Sequence, residues 1–331
     1  MKKKLELFKK VLRECDYSNT YKMAWAKGIV ELSGEYKDSL EKYVEIPLKQ
    51  IAHKMFKYYW DQTIFFDLFQ SSPNQPPVIL SEVKKIISKY KEKVIDYKPI
   101  VFNRAEKFIN DNLLKDFGKS INKCVSNIKV NVMPFFLNFN YETYDFYIAD
   151  KRNNVIKIKT KFLELLSNNQ QDLFDLINYR WSMMLENYNS SPRIAKKVRI
   201  MDEQEIKRSS LTQFDEFLDL ENKDHKCFIC GKIIEDNDLS RDHVIPWSYL
   251  YSDDLWNLVY VHKGCNSSKN DKTPSEDAIN KLKERNLVLK DKMHMCYAKD
   301  KKIVQELDYA IEKWDMDYIN PMTQNIVPNS L

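Results

Sequence analysis

Two short motifs in the C-terminal part of the chain restrict its fold more than any other feature. Cys227-x-x-Cys230 is followed at a distance by His262-x-x-Cys265. Two pairs with this internal spacing can close a tetrahedral zinc site, with each pair forming one knuckle. The alternative is a pair of buried thiols with an unrelated His262 at the surface. Because a lone Cys-x-x-Cys is weak evidence and two matched pairs are strong, the sequence predicts a structural zinc site.

The segment between the two pairs carries polar residues in apolar surroundings. Asp242-His243 precedes Val-Ile-Pro, and Asn257 lies in the run Trp-Asn-Leu-Val, which we expect to be a strand. An aspartate can bind a cation while a neighbouring imidazole activates water, although a lone Asp-His pair is more often a surface pair. A buried amide at position 257 needs a hydrogen-bond partner, typically the backbone of a neighbouring loop. A predicted helix follows, with the sequence Asn266-Ser-Ser-Lys269.

In this order the residues closely resemble the HNH, or ββα-metal, nuclease family. That pattern runs Cys-x-x-Cys, Asp/His-His-x-x-Pro, Asn-Leu-Val and Cys-x-x-Cys-Asn/His-x-x-Lys, and each functional position has a counterpart between residues 227 and 272. The strings DHVIPWS and LWNLV also resemble a recurring bacterial subgroup. The resemblance covers about one seventh of the chain. One position departs from the four-cysteine pattern, because His262 replaces a cysteine, but three cysteines and a histidine are an ordinary zinc set.

The resemblance implies a metal-dependent endonuclease that cuts the phosphodiester backbone of nucleic acid. His243 would be the general base that takes a proton from the attacking water. Asp242 and Asn266 would hold one divalent cation, Mg²⁺ or Mn²⁺, because hard oxygen ligands suit these ions. Asn257 would brace the loop that carries His243. The residues that would hold a structural zinc ion, leaving no open position for catalysis, are Cys227, Cys230, His262 and Cys265.

The substrate and the class of function follow from the same resemblance. DNA is the expected substrate because most members of the family cut DNA, and RNA is the alternative. Arg241 and Lys269 could reach phosphate, although both suit a solvent-facing position equally well. A different class of function is a zinc-stabilised module that binds nucleic acid or protein without chemistry. The complete set of polar motif residues argues against that class, because polar groups near apolar strands are costly unless they are used.

Glycine is scarce, with five residues in a chain of 331. Sheet-rich folds with many tight turns usually need more glycine, so this composition favours a mostly helical protein. The length suits two domains better than one. We therefore predict an α+β protein with a mainly helical recognition or regulatory domain at residues 1–205. A zinc-stabilised ββα-metal nuclease domain would follow at 206–331, with its motif core at 227–272 and helices at its C-terminal end.

Patterning within the first domain predicts mostly helices. Apolar residues recur at helical spacing up to about Lys93. Between Asp38 and Trp60 the pattern is interrupted by Pro47, which we place at a helix start. From Asn131 to Thr160, apolar residues alternate with polar ones, which predicts a β-hairpin or small sheet. The polar stretch from Asn187 to Thr212 is predicted to be a linker.

The start of the chain, MKKKLELFKKVLREC, lacks the apolar core of a secretory signal, and no stretch has the length of a membrane span. We therefore expect a cytoplasmic protein without a membrane partner, whose six cysteines are metal ligands or buried thiols. The net charge of +5 is compatible with a polyanion partner. A lysine-rich helical region joined to an HNH module resembles bacterial restriction or anti-phage effectors. Self-association as a homodimer and a regulatory protein partner both stay open.

Overall fold

The chain divides into two compact units. Unit 1 comprises Met1–Asn189 with Ile194–Glu205, and unit 2 comprises Ser190–Arg193 with Ile206–Leu331. The predicted boundary between residues 205 and 206 lies outside the described residues, as does much of the predicted linker. Within that linker, Ile194–Val198 forms a helix that buries Ile194 and Val198 in a hydrophobic core, so the prediction was wrong for this part. The computed structural model describes residues 2–15, 18–71, 76–95, 98–189, 193–198, 210–270, 272–299 and 301–312.

Unit 1 is mainly helical. Its helices are α1 (Lys2–Glu14), α2 (Tyr21–Tyr36), α3 (Leu48–Phe66), α4 (Val78–Lys93), α5 (Phe102–Asn131), α6 (Thr160–Asn168), α7 (Gln170–Glu186) and α8 (Ile194–Val198). Apolar side chains four residues apart share one helix face, and α5 buries Ala105, Ile109 and Leu113 in this way. Helix α3 is buried over most of its surface and forms the centre of the unit 1 core. Within the described residues, no helix is both long and apolar enough to cross a membrane.

Two small antiparallel sheets complete unit 1. The strands are β1 (Tyr43–Pro47), β2 (Asn138–Phe139), β3 (Glu142–Thr143), β4 (Ile148–Asp150) and β5 (Val155–Lys159). Strands β2 and β3 pair with each other, and the other three form a sheet in the order β1-β5-β4. The hairpin of β4 and β5 confirms the sheet predicted between residues 131 and 160. Helices with small sheets confirm the predicted α+β class.

Strand β1 corrects the helical prediction for the stretch that begins at Asp38. Ile46 opposes Ile156 of β5 in the antiparallel register, and both side chains are fully buried. The partner strand lies far along the chain, so helical periodicity read locally could not reveal the pairing, which decides strand formation here. The helix start was predicted correctly, because Pro47 immediately precedes α3.

Unit 2 has its own small hydrophobic core. Its regular elements are α9 (Asp215–Glu221), β6 (Leu239–His243), α10 (Trp247–Leu250), β7 (Leu258–His262), α11 (Lys263–Lys269), α12 (Glu276–Cys296) and α13 (Lys302–Glu312). Strands β6 and β7 form an antiparallel hairpin, and α11 follows β7 directly and packs on both strands. This strand–strand–helix arrangement is the predicted ββα module, followed by the predicted C-terminal helices.

Helix α12 fastens the start of β7 to the rest of unit 2. Arg285 is buried, and its guanidinium donates to the carbonyl of Leu258 and pairs with Glu221 at 3.0 Å. Asn286, also buried, donates through Nδ2 to the carbonyl of Trp256 at 2.9 Å. These bonds satisfy the backbone carbonyls of Trp256, just before β7, and of Leu258, its first residue, and they hold the entry of the strand in a fixed position.

Candidate active site

The hairpin of β6 and β7 positions the predicted Asp-His pair. Asp242 opposes Val259, and His243, the last residue of β6, opposes Leu258. Successive residues of a strand leave it on opposite sides, so Asp242 shares a face with Ser240, two residues earlier.

Asn257 fixes the chain that follows His243. Its side chain is fully buried, its Oδ1 accepts from the backbone N–H of Ile245 at 2.8 Å, and its Nδ2 donates to the carbonyl of Ile245 at 2.8 Å. The backbone N–H of Val244 adds a bond to the Asn257 carbonyl at 2.9 Å. Asn257 itself lies in a short 3₁₀ turn, Leu255–Asn257, and not in the strand that the sequence predicts, which begins at the next residue.

Helix α11 brings two predicted site residues to β6. Asn266 and Lys269 are three residues apart and therefore share a helix face. Asn266 donates through Nδ2 to Oγ of Ser240 at 3.1 Å, on the strand face that carries Asp242. Lys269 places its Nζ 2.9 Å from Oδ2 of Asp242 and 2.7 Å from the His243 carbonyl, to which it donates. Asp242, Asn266 and Lys269 therefore converge between β6 and α11.

The donors at this point suit a hard divalent cation. Among the described residues, Oδ2 of Asp242 is a buried oxygen without a hydrogen-bond partner, although the Lys269 amine lies close to it as a counter-charge. Among the described residues, the Asn266 amide bonds only through its nitrogen, so its oxygen remains for another ligand. A carboxylate oxygen and an amide oxygen are ligands that Mg²⁺ or Mn²⁺ accepts, with water in the remaining positions.

His243 is buried and has an acidic partner that the sequence analysis does not predict. Its side chain is 5% exposed, and its Nε2 lies 3.0 Å from Oδ1 of Asp253. Asp253 is one of two adjacent aspartates in the loop between α10 and the 3₁₀ turn. Adjacent aspartates are common in turns, and no motif spacing distinguishes Asp253, so only the fold identifies it.

Arg241, a predicted phosphate contact, is engaged elsewhere in the structure. Its Nε donates to Oδ1 of Asp215 at 2.7 Å, and Nη2 pairs with the other carboxylate oxygen. The hydrogen bond with Asp215 raises the pKa of the guanidinium further. Alternation along β6 places Arg241 on the face opposite Asp242. The predicted contact between Arg241 and nucleic acid stays a prediction.

The four predicted zinc ligands are brought together. One ligand atom from each of Cys227, Cys230, His262 and Cys265 lies within 4.8 Å of all the others. Nδ1 of His262 is 3.4 Å from the Cys230 sulfur and 3.9 Å from the Cys265 sulfur. Zinc bonds of about 2.3 Å to sulfur and about 2.0 Å to nitrogen imply ligand separations of roughly 3.5–3.8 Å. The cluster can therefore bind zinc.

The surroundings of the cluster favour metal binding. Burial alone raises the pKa of the Cys227 thiol, but hydrogen bonds from the Cys230 and His262 backbone and from the His262 ring outweigh it and lower the pKa to about 6. A thiolate is the form that binds zinc. The second nitrogen of His262, Nε2, is 3.2 Å from the carbonyl of Ile233, which is the kind of bond that commonly orients a metal-binding histidine.

The knuckle glycines differ from each other. The sequence predicts a positive φ at both Gly231 and Gly264. Gly231 has a φ of 75° in the first knuckle, where its N–H donates to the Cys227 carbonyl at 2.8 Å. Gly264 is the second residue of α11 and has a helical backbone, so the prediction there was wrong. The second knuckle turns directly into a helix and needs no left-handed residue.

A pocket of about 410 Å³ opens beside Asp242. One wall is the hairpin face that carries Asp242, Val244 and Val259, and another is the start of α12. The lysines that line it are Lys269, Lys272 and Lys281. An apolar wall with amines around a carboxylate can accept the sugar and phosphate groups of a nucleic acid.

Comparisons with known families agree with this geometry. Residues 227–275 match the family model for HNH endonuclease, which confirms the resemblance, and residues 1–198 match the model described as "Domain of unknown function (DUF8808)". No curated protein and no solved structure matches the chain. Because the second match spans more than half of the 331 residues, the chain belongs to the DUF8808 family, and it joins that domain to an HNH endonuclease domain.

Proposed function

We propose that the chain is a metal-dependent endonuclease that hydrolyses phosphodiester bonds in DNA. The observation that carries this proposal is the convergence of Asp242, Asn266 and Lys269 between β6 and α11, beside His243 at the end of the strand. The match of this segment to the HNH endonuclease family supports a nucleic acid as the substrate. DNA is favoured over RNA by the resemblance to that family alone.

Each polar residue of the motif has a part in the proposed reaction. Asp242 and Asn266 would hold one divalent cation, which supplies positive charge to the scissile phosphate when it is bound. His243 takes a proton from water as the water oxygen bonds to phosphorus and the bond from phosphorus to the leaving oxygen breaks. Asn257 keeps the chain after His243 in place through Ile245.

A zinc ion would have a structural role, not a catalytic one. The cluster of Cys227, Cys230, His262 and Cys265 offers four protein ligands, so a tetrahedral ion there has no open position for water or substrate. Soft sulfur ligands select zinc, whereas the oxygen ligands of Asp242 and Asn266 select Mg²⁺ or Mn²⁺. The two metals therefore need not compete for one site.

The proposal also covers the roles of the two domains and the biological setting of the nuclease. Residues 1–205 would select the substrate or bind a regulatory partner, and residues 206–331 would cut. Fusion of a lysine-rich helical region to a nuclease module supports a role in restriction or anti-phage defence, inside the cytoplasm. Cleavage of both strands would favour a homodimer.

Cleavage assays on four substrates test the proposed substrate class. Purified full-length protein is incubated with double-stranded DNA, single-stranded DNA, double-stranded RNA and single-stranded RNA, each with Mg²⁺, Mn²⁺ or EDTA. Cleavage of DNA that EDTA abolishes supports the proposal, and cleavage of RNA alone would replace it with a ribonuclease. Binding without cleavage of any of the four would favour the zinc-stabilised binding module.

A further inference from the structure

Asp253 is an acidic residue that contacts the His243 ring. Its Oδ1 lies 3.0 Å from Nε2, and both side chains are mostly buried, with 5% of His243 and 17% of Asp253 exposed. A hydrogen bond to an ionised carboxylate is stronger than one between neutral groups. Burial away from bulk water strengthens it again. The ring is therefore held in one orientation.

The loop that carries Asp253 is itself fixed. The neighbouring carboxylate of Asp254 accepts from Oγ of Ser252 at 2.6 Å, and the Asp254 carbonyl accepts from the backbone N–H of Asn257 at 2.9 Å. Asn257 also holds Ile245 on the other side of the site. One buried residue thus ties the loop of Asp253 to the chain that follows His243.

The carboxylate of Asp253 determines which nitrogen of the His243 ring carries hydrogen. A neutral imidazole has one N–H donor and one nitrogen with a lone pair, and an ionised carboxylate can only accept. Nε2 must therefore carry the hydrogen, and the lone pair lies on Nδ1. Among the described residues, no hydrogen bond to Nδ1 is present, so its lone pair is left for a proton donor.

We propose that Asp253 is a positioning residue that keeps His243 in the tautomer with hydrogen on Nε2. This proposal rests on the proposed nuclease function. In the reaction the proton moves from the attacking water to Nδ1, the hydrogen on Nε2 stays in place, and Asp253 remains ionised. The ring then carries a positive charge, which the adjacent carboxylate stabilises.

Nuclear magnetic resonance tests the tautomer without reference to activity. Full-length protein labelled with ¹⁵N-histidine has five histidines, and a His243→Ala sample identifies the signals of His243. We expect the Nε2–H form in the wild type and a mixture of tautomers in Asp253→Ala. A wild-type ring with hydrogen on Nδ1, or an unchanged tautomer in Asp253→Ala, would overturn the proposal.

Cleavage kinetics test the consequence for catalysis. Asp253→Ala should lower kcat by about 10²- to 10³-fold, with KM within about twofold of the wild type, because orientation of the base matters in the transition state. Asp253→Glu, which keeps a carboxylate, should recover part of the loss. The matched control is Asp236→Asn, which changes an exposed carboxylate of the same unit outside the Asp253 loop and should stay within about threefold of the wild type.

The possible results separate the two proposals. If Asp253→Ala does not fold, as judged by zinc content and circular dichroism, the isosteric Asp253→Asn replaces it in both measurements. Unchanged kcat in a folded Asp253 variant would overturn the positioning role while the nuclease function stands. If the wild type cuts no nucleic acid, the proposed function fails, and the tautomer measurement alone decides whether Asp253 sets the ring.

Discussion

At the scale of single residues, the segment after β6 depends on the buried amide of Asn257. That amide satisfies both the N–H and the carbonyl of Ile245 with bonds of 2.8 Å. A buried backbone group without a partner costs about 1–3 kcal/mol. Because Asn257 serves two such groups at once, its role in the site is inseparable from the stability of unit 2.

Replacement of this amide should destabilise the protein. We expect Asn257→Ala to lower the free energy of unfolding by about 2–4 kcal/mol, because two backbone groups lose their partners and a small cavity forms. Urea denaturation followed by circular dichroism measures the change. The matched control Asn237→Ala, at an exposed position of the same unit, should change it by less than about 0.5 kcal/mol. An equally small change for Asn257→Ala would contradict the bracing role.

Residues of the candidate site differ in how far the sequence could predict them. Asp242 and His243 could be singled out because they lie between the two candidate metal-binding pairs, and Asn266 because it directly follows the second pair. Asp253 and Asp215 could not, because their partners are set by tertiary contacts with His243 and Arg241 and follow no motif spacing. Motif spacing thus predicts which residues would meet the substrate, and only the fold shows which carboxylates lie against them.

At the scale of elements, β6, β7 and α11 carry the candidate site, and α12 supports them. Arg285 of α12 is the centre of this support, since it joins Glu221 of α9 to the carbonyl at the start of β7. Burial lowers the pKa of this guanidinium, although the adjacent Glu221 opposes the shift. Removal of one partner would leave the other charge buried and uncompensated.

A double-mutant cycle measures this support. Arg285→Met should lower the free energy of unfolding by about 3 kcal/mol, because Glu221 then remains as a buried charge without its partner. The double variant Arg285→Met/Glu221→Gln should recover part of this loss, because it removes the stranded charge. Thermal and urea denaturation of the two single variants and the double variant check the cycle. A double variant less stable than Arg285→Met would contradict the explanation.

Elements made by local patterns were predictable, and elements made by distant pairing were not. The hairpin of β4 and β5 was predicted because its alternation and its turn are contiguous in the sequence. Strand β1 was predicted as helix because its partner β5 is distant and its five residues fit either pattern. The two knuckles were also predictable, because the spacing of their ligands is a local property of the sequence. Only Gly264 differed from the prediction, since its backbone is helical and does not have a positive φ.

At the scale of the whole molecule, each of the two units has its own hydrophobic core. The core of unit 1 contains residues between Leu5 and Val198, and that of unit 2 contains residues between Phe214 and Ala310. Unit 2 has the smaller core and includes the cluster of Cys227, Cys230, His262 and Cys265 that could bind zinc. Metal binding contributes to folding free energy in such small modules.

Chelation should therefore affect the two units differently. We expect one zinc ion per chain by atomic emission, and removal of that ion by 1,10-phenanthroline should abolish the thermal transition of unit 2 while unit 1 stays folded. Calorimetry and circular dichroism of the full-length protein, with and without the chelator, measure this. Cys296→Ser, which changes an exposed cysteine outside the cluster, is the control for Cys230→Ser. Full zinc content in Cys230→Ser would contradict the assigned cluster.

At this scale we propose that the protein hydrolyses DNA, with His243 as the base and a divalent cation at Asp242 and Asn266. The most direct measurement is cleavage of supercoiled plasmid by the full-length protein with Mg²⁺ or EDTA, beside His243→Ala. His294→Ala is the matched control, because His294 lies on α12 and bonds Asp308, outside the site.

We predict nicking or linearisation that needs Mg²⁺, is unchanged in His294→Ala, and falls by about 10²- to 10⁴-fold in His243→Ala. Metal-dependent cleavage that persists at the wild-type rate in folded, zinc-loaded His243→Ala would contradict the assignment of His243 as the base.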